Sequence, residues 1–160
     1  MKSKRFHKGV YIALFSVYLA LLLSWVLFSD VFGRSGFDNL KGATAEDYAA
    51  AFDERVCLIP FKTIFGFFKG LADKTVSLRA FVINIFGNIL VFAPFGVFLP
   101  LIFKAQRKLS RFLLTVIFII LSIEALQFLM LTGYSDIDDL ILNTLGACAA
   151  FVIFKRFAKQ

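Results

Sequence analysis

The sequence predicts an all-α protein, a four-helix transmembrane bundle with an extracytoplasmic segment that carries short amphipathic helices. Of the 160 residues, 59% are hydrophobic and 22 are Phe, a higher apolar share than soluble domains usually have. Four continuous apolar runs approach or exceed the length of about 18 residues that favours a membrane-crossing helix. The basic residues cluster beside these runs, as membrane topology requires, so the net charge of +7 does not indicate nucleic-acid binding.

All 160 residues are assigned to a single membrane domain with four spans. The spans are predicted at about residues 10–28, 80–103, 112–131 and 137–154. The first run is too long for a signal peptide and lacks a cleavage site, so it is predicted to stay as an uncleaved span with Trp25 and Phe28 at the interface. In the second run, Pro94 is expected to free a backbone carbonyl one turn earlier and to kink the helix.

The charged residues predict the orientation of the bundle. The segments before span one, between spans two and three, and after span four hold eleven of the eighteen basic residues and no acid. Ten of the eleven acids lie in residues 29–79 or at the turn before span four. Because cytoplasmic loops are enriched in Lys and Arg, both termini are expected in the cytoplasm and residues 29–79 outside it.

The external segment contains two predicted helices. Thr44 and Asp47 are spaced as in a capping box that opens a short helix. A second helix is indicated by large apolar residues at helical spacing: Phe61, Ile64, Phe65, Phe68 and Leu71. It could lie in the outer membrane interface or fold over the bundle, and either arrangement is also consistent with a simple amphipathic cover that binds no ligand.

Six polar side chains interrupt the last three spans, two on each. They are Asn84, Asn88, Glu124, Gln127, Asp139 and Asn143. At the helical rise of 1.5 Å per residue, all six fall within about 15 Å of the predicted outer surface. A carboxylate at the bilayer centre costs about 2.5–3.5 kcal/mol, so these groups are expected to gather in a polar pocket that faces outward.

The faces of span four support this grouping. Asp139 and Asn143 form one helical stripe with Gly146 and Ala150, and the two small residues allow close helix packing. The polar stripe should therefore point into the bundle. Asp138 lies off the stripe and is expected to point to water at the mouth of the pocket.

Two interpretations of the pocket remain open. The polar groups could form a hydrogen-bonded core that only fixes helix register, or they could form a site. The intramembrane acid Glu124 favours a site, because an amide would serve a purely structural role at lower cost. Asn84, Asn88, Gln127, Asp136 and Asn143 would then orient a polar head group, and if the site is catalytic, Glu124 and Asp139 are the predicted general acid/base pair.

A metal site is a weaker alternative. Glu124 and the acids at Asp136, Asp138 and Asp139 offer oxygen ligands of the kind that Ca²⁺ and Mg²⁺ prefer. Their spacing is not specific, however, so neither a metal nor another cofactor is predicted. The residue pattern also leaves the oligomeric state open.

Several short motifs occur in a characteristic order between residues 58 and 150. They are Leu58-Ile59-Pro60-Phe61, Asn84 with Asn88, Phe92-Ala93-Pro94-Phe95-Gly96, Glu124 with Gln127, and Asp136-Ile137 followed by Asp139, Asn143-Thr144 and Gly146. In these motifs the chain resembles the VanZ-like family of bacterial membrane proteins. Many members carry an Arg at the turn that Gly133, Tyr134 and Ser135 occupy here.

The resemblance implies a multi-pass protein of the bacterial plasma membrane. It also implies a role in the cell envelope, because founding members are associated with low-level resistance to teicoplanin, a glycopeptide antibiotic. The expected partner is a membrane lipid or a lipid-linked envelope component. The resemblance does not supply a reaction, and a non-catalytic scaffold or transporter subunit remains the alternative.

Overall fold

The computed structural model describes residues 2–28 and 41–158 of the chain, with side chains described for 8–27 and 41–158. In chain order the helices are α1 (Lys2–Phe28), α2 (Ala45–Arg55), α3 (Lys62–Ala72), α4 (Leu78–Val91), α5 (Ala93–Ile102), α6 (Leu109–Leu129) and α7 (Ile137–Phe157). A 3₁₀-helix, Lys104–Arg107, joins α5 to α6. Two short strands, β1 (Val56–Cys57) and β2 (Ser135–Asp136), pair in parallel.

The predicted all-α class is confirmed, as is the number of spans. Within the described residues, four helical stretches are long and apolar enough to cross a membrane: Lys8–Leu27, Leu78–Ile102, Leu109–Leu129 and Ile137–Phe157. Many large apolar side chains on their outer faces are exposed, Leu114 and Phe118 by 71% each. Such a surface would aggregate in water but matches the hydrocarbon of a bilayer, so the chain is an integral membrane protein.

The second span is broken where the Pro94 kink was expected. The helix stops after Val91, and α5 restarts with Pro94 in its first turn. At the break the Phe95 amide donates to the Phe92 carbonyl at 3.1 Å, and the Tyr18 hydroxyl of α1 donates to the Val91 carbonyl. A neighbouring helix thus supplies the hydrogen bond that the interrupted helix loses, as a break inside a membrane requires.

Helix α7 lies at the centre and packs against α4, α5 and α6. A Cβ on Gly146 would overlap the carbonyl of Ile89, and one on Gly96 would overlap the backbone of Ala147 and Phe151. The backbones of α4 and α5 therefore touch α7 directly. This confirms that the polar stripe of α7 continues into a packing face built on small residues.

Helix α2 starts with the predicted capping box. The Thr44 amide donates to the Asp47 carboxylate at 2.7 Å, and the Thr44 hydroxyl accepts from the Asp47 amide at 3.3 Å. The bond from the Thr44 amide, followed by a second bond that the Thr44 hydroxyl donates to the same carboxylate at 2.8 Å, lowers the pKa of Asp47 from its ordinary value of 3.8. The carboxylate is therefore charged where the helix dipole favours a negative group.

Two side chains of α2 close the C-terminus of α6. Tyr48 donates through its hydroxyl to the Leu129 carbonyl at 2.9 Å, and Arg55 donates through Nη1 to the Leu131 carbonyl at 2.8 Å. Carbonyls at a helix C-terminus lack intrahelical partners, and here a distant segment provides them. Together with the β1–β2 pairing, these bonds fasten the segment before α3 to the turn between α6 and α7.

Helix α3 is folded over the bundle. Ile64, Phe67 and Leu71 pack against a small core formed by α4 and α7. Phe65 and Phe68 border this face and are exposed by 69% and 53%, and the Phe68 ring also contacts Phe81 of α4 at 5.0 Å between ring centroids. The apolar side of the helix is thus wider than the part that the bundle covers.

Candidate functional site

A cavity of about 790 Å³ lies between α4, α6 and α7, within the usual size range for sites that hold small organic ligands. Trp25 and Val26, at the end of α1, form part of its wall. Thr63 and Phe67 of α3 cover one end, and the turn that contains Tyr134 borders it there. The cavity therefore occupies the half of the bundle nearer to α2 and α3.

Six of the seven predicted site residues line this cavity. They are Asn84 and Asn88 of α4, Glu124 and Gln127 of α6, and Asp139 and Asn143 of α7. The reason is the alternating direction of the spans: each pair lies about three turns or less from the helix end on the same side of the bundle. Their spatial grouping is what the sequence predicted, while a role of any of them in binding or catalysis stays a prediction.

The two asparagines of α4 have different partners. Asn84 donates through Nδ2 to the Ala80 carbonyl one turn earlier at 2.9 Å. Asn88 donates through Nδ2 to the Asp139 carboxylate of α7. The second bond crosses the helix interface and places the Asp139 carboxylate beside the cavity.

Gln127 joins α6 to α1. It is 4% exposed and donates through Nε2 to the Val26 carbonyl at 3.1 Å. The following turn packs on it: Thr132 donates to the Gln127 backbone carbonyl, and a Cβ on Gly133 would lie 3.1–3.2 Å from the Gln127 side chain. A glycine at this position allows the turn to lie directly against the amide.

Asn143 is the most enclosed polar group of the site. It is 5% exposed, and no side chain or backbone group of the described residues hydrogen-bonds to its Oδ1. A buried amide oxygen without a partner costs about 1–3 kcal/mol. Because Asn143 lines the cavity, a ligand with an O–H or N–H group there would remove that cost.

Asp136 does not line the cavity. Its carboxylate caps α7 by accepting from the Asp138 amide at 2.9 Å, a bond that satisfies one of the free amides of a helix N-terminus. Asp136 thus positions the start of the helix that carries Asp139 and Asn143, and the structure does not place it where it could orient a head group in this cavity. In the described parts of the chain, no three acids, His or Cys gather as a metal site would need.

The expectation that Asp138 points to water is wrong. Its side chain is fully buried and accepts from three amides at the start of α3: Phe61, Thr63 at 2.8 Å and Ile64 at 3.0 Å. Phe61 adopts the left-handed conformation, with φ 65°, which is costly for a bulky residue. A carboxylate at a helix N-terminus is favourable, so Asp138 anchors α3 over the cavity.

The cavity changes character along its depth. Next to the α3 end its wall is polar, with Thr63 and Thr132 beside the predicted site residues. Toward the middle of the bundle the wall is apolar and contains Phe92, Ile120 and Ile123. The sequence pattern did not single out these residues, because apolar side chains in a span carry no signal that separates a cavity wall from a packed core.

One wall of the cavity also reaches the outside of the bundle. Trp25, Val82, Phe86 and Leu90 line it and are still 43–66% exposed. They belong to α1 and α4, and side chains that face both a cavity and the surroundings border an opening between them. In a membrane, that opening would face acyl chains.

The fold and the site together define a class: an α-helical membrane protein of four spans with a polar cavity set within one half of the bundle. The particular family follows from comparison with known proteins. The sequence model of the VanZ/LLP1 family matches residues 15–158, nearly the whole chain. The chain belongs to this family, which confirms the resemblance seen in its motifs.

A relative of this chain is Protein VanZ of Enterococcus faecium. The two are 39% identical over 59 residues, which is 37% of this chain and 36% of the relative. The match thus spans about a third of the length of that protein. No solved structure is significantly similar to the chain.

Proposed function

We propose that the protein binds or modifies a lipid or lipid-linked component of the bacterial cell envelope in its polar cavity. The observation that carries the proposal is the meeting of six polar side chains from three spans in one cavity whose deeper wall is apolar. An amphiphile has the complementary distribution, with a polar head and an apolar tail. The volume of about 790 Å³ is large enough for a head group and part of a chain.

The cavity is proposed to face outward from the plasma membrane, with both termini in the cytoplasm. The support is the charge pattern: the basic segment around Lys104 and Arg107 lies at the end of α6 opposite the cavity, and positive segments stay inside. A reporter fused after Lys108 should then score cytoplasmic, and one fused between residues 41 and 53 external. The opposite scores would place the cavity in the cytoplasmic leaflet.

The biological role we propose is reduced susceptibility to teicoplanin-type glycopeptides. The support is membership of the VanZ/LLP1 family and the similarity to Protein VanZ. An envelope component bound or altered at the outer surface would lower the access or affinity of a drug that acts there. If a bond is made or broken, Glu124 and Asp139 are the groups in the cavity able to transfer protons.

Glu124→Gln tests the role of the site. The substitution keeps size and hydrogen bonding but removes the carboxylate. In a host whose teicoplanin susceptibility the wild-type chain lowers, the variant should accumulate to normal membrane levels and return susceptibility to that of the empty vector. Ser122→Ala is the control on the same helix, because Ser122 is exposed and its hydroxyl donates to the Phe118 carbonyl one turn earlier.

The alternative is a scaffold or transporter subunit whose polar groups only lock the helices. It is favoured by two bonds that join spans, Asn88 to Asp139 and Gln127 to Val26. A scaffold should keep its phenotype in Glu124→Gln whenever the protein level is unchanged. If both Glu124→Gln and Asp139→Asn behave as wild type at normal levels, the site hypothesis fails and the scaffold stands.

A further inference from the structure

We infer that the head group held in this cavity is uncharged and rich in hydroxyl groups, as in a glycosyl or glycerol lipid, and that its chain enters between α1 and α4. This inference rests on the proposed function and names the chemical class of its ligand. It follows from the direction of the amide groups, from the charges of the wall, and from the position of the opening.

The amides turn their nitrogen atoms to the protein. Asn84, Asn88 and Gln127 each donate through the side-chain nitrogen to a carbonyl or carboxylate oxygen. Since those partners are acceptors, the nitrogen and not the oxygen must face them. The oxygen of each amide group lies on the side away from that partner. Among the described residues, none donates a hydrogen bond to these oxygens. These oxygens can therefore accept hydrogen bonds from a ligand in the cavity that their residues line.

Asn143 adds a buried acceptor to this set. Its Oδ1 is enclosed and has no hydrogen-bond partner among the residues that the structure describes. The residue as a whole is only 5% exposed. A donor group of the ligand would satisfy an acceptor in this state. The Asn143 oxygen thus adds to the polar half of the cavity an acceptor that an O–H group would satisfy.

The charges of the wall argue against a phosphate at this level. None of the described residues that line the cavity is Lys, Arg or His, whereas two are carboxylic acids. Phosphate recognition normally uses Arg, Lys or a helix N-terminus. The N-terminus of α3 is already occupied by Asp138. A hydroxyl group donates without carrying charge, and it therefore fits the wall better.

The opening indicates how the chain is held. Trp25 of α1 and Leu90 of α4 line the cavity while remaining 50% and 66% exposed. Leu90 lies about 18 Å along α4 from its first residue at the helical rise, which is near the bilayer centre. An acyl chain could leave the cavity there and continue among the lipids, while the head group stays among the amides.

The single tryptophan of the chain gives a direct assay. The full-length protein would be placed in phosphatidylcholine nanodiscs and titrated with amphiphiles that share one brominated chain and differ in head group: a maltoside, a phosphoglycerol and a primary amine. Bromine near Trp25 quenches its fluorescence. Binding in the cavity gives a saturable component that an unbrominated maltoside displaces, whereas random lipid contact gives a linear one.

The maltoside should show the saturable component at a mole fraction at least tenfold lower than the other two. Asn143→Leu should remove that component, and Thr144→Val should leave it. Thr144 is the next residue of α7, and its hydroxyl likewise has no hydrogen-bond partner among the described residues, but it does not line the cavity. The head-group series on the wild type decides the matter even if Asn143→Leu does not fold.

Each other outcome contradicts the inference. If the phosphoglycerol or the amine binds as well as the maltoside or better, the head-group class is wrong while the proposed lipid-binding cavity stands. If no amphiphile gives a saturable component, both the inference and the proposed function fall. If Thr144→Val loses binding as Asn143→Leu does, the effect comes from α7 packing and not from the buried amide.

Discussion

Replacing Asp138 by alanine should release α3 from the bundle. The carboxylate accepts three amide hydrogen bonds from the first turn of α3, and the side chain is fully buried. A hydrogen bond to a charged group contributes about 1.5–3 kcal/mol, and the bonds of one group are not additive. Since the three partly buried amides would also lose their partner, a loss of about 3–5 kcal/mol is expected.

Thermal unfolding in detergent would measure this loss. For a chain of this size, 1 kcal/mol shifts Tm by about 2–4 °C, so Asp138→Ala should lower Tm by about 6–20 °C. Because the bonds hold α3 in particular, limited trypsin digestion should cut at Lys62 and Lys69 before the spans unfold. Thr63 and Phe67 cover the cavity, so the variant should also weaken amphiphile binding.

Asp136→Ala is the matched control. It lies two residues earlier and loses one capping bond, worth about 1 kcal/mol. If Asp138→Ala is no less stable than Asp136→Ala and α3 is equally resistant to trypsin, the three amide bonds do not anchor the helix. The assignment of Asp138 to the cavity cover would then be wrong.

Two further predictions concern helix packing and α2. Gly146→Ala should destabilise the bundle by about 1–3 kcal/mol in unfolding assays, because the added methyl would meet the Ile89 carbonyl. Gly66→Ala is the control and should not destabilise it, because a methyl there has open space. Equal effects of the two substitutions would exclude backbone contact between α4 and α7. Since the pKa of Asp47 is lowered in the folded state, the capping box should stabilise α2 above pH ~4 and lose this effect as pH falls through the lowered pKa. The amide chemical shift of Thr44 should titrate with a midpoint below 3.8, and a midpoint at or above that value would contradict the bond.

Helix geometry explains why most of the site could be predicted. Antiparallel spans bring residues near successive turns to one depth, so counting along each span placed Asn88, Glu124 and Asp139 together without knowledge of packing. The break near Pro94 was also predictable, because proline has no backbone N–H with which to continue the helical hydrogen bonds. The donor that repairs it, Tyr18, could not be predicted, since no periodicity within α5 identifies a partner on α1.

The wrong prediction for Asp138 shows that helical periodicity cannot predict burial by a segment distant in the sequence. The stripe of Asp139 and Asn143 correctly faced the bundle, and Asp138, about 100° away on the helix, was assigned to water. What covers it is α3, a segment some seventy residues earlier in the chain. One signal could have indicated this: α3 begins without a Ser, Thr, Asp or Asn cap, and Phe61 has no side-chain bond to offer, so its first amides needed an acceptor from elsewhere.

The bridge between β1 and β2 was missed for a similar reason. Each strand has two residues, too few to show alternation, and their pairing joins segments far apart in sequence. Contacts of this kind are decided by the assembled fold. They nevertheless shape the site, because β2 leads directly into the α7 turn that carries Asp139.

Mass spectrometry of the lipids that stay with the purified protein is the most direct test of an amphiphile held by polar groups from three spans. Wild type and Thr144→Val should retain the same amphiphile at about one molecule per chain after detergent exchange. Asn143→Leu and Asn88→Leu, purified at equal yield, should lose it. If all four proteins carry the same lipids in the same amounts, the cavity does not hold a ligand through these side chains and the account is wrong.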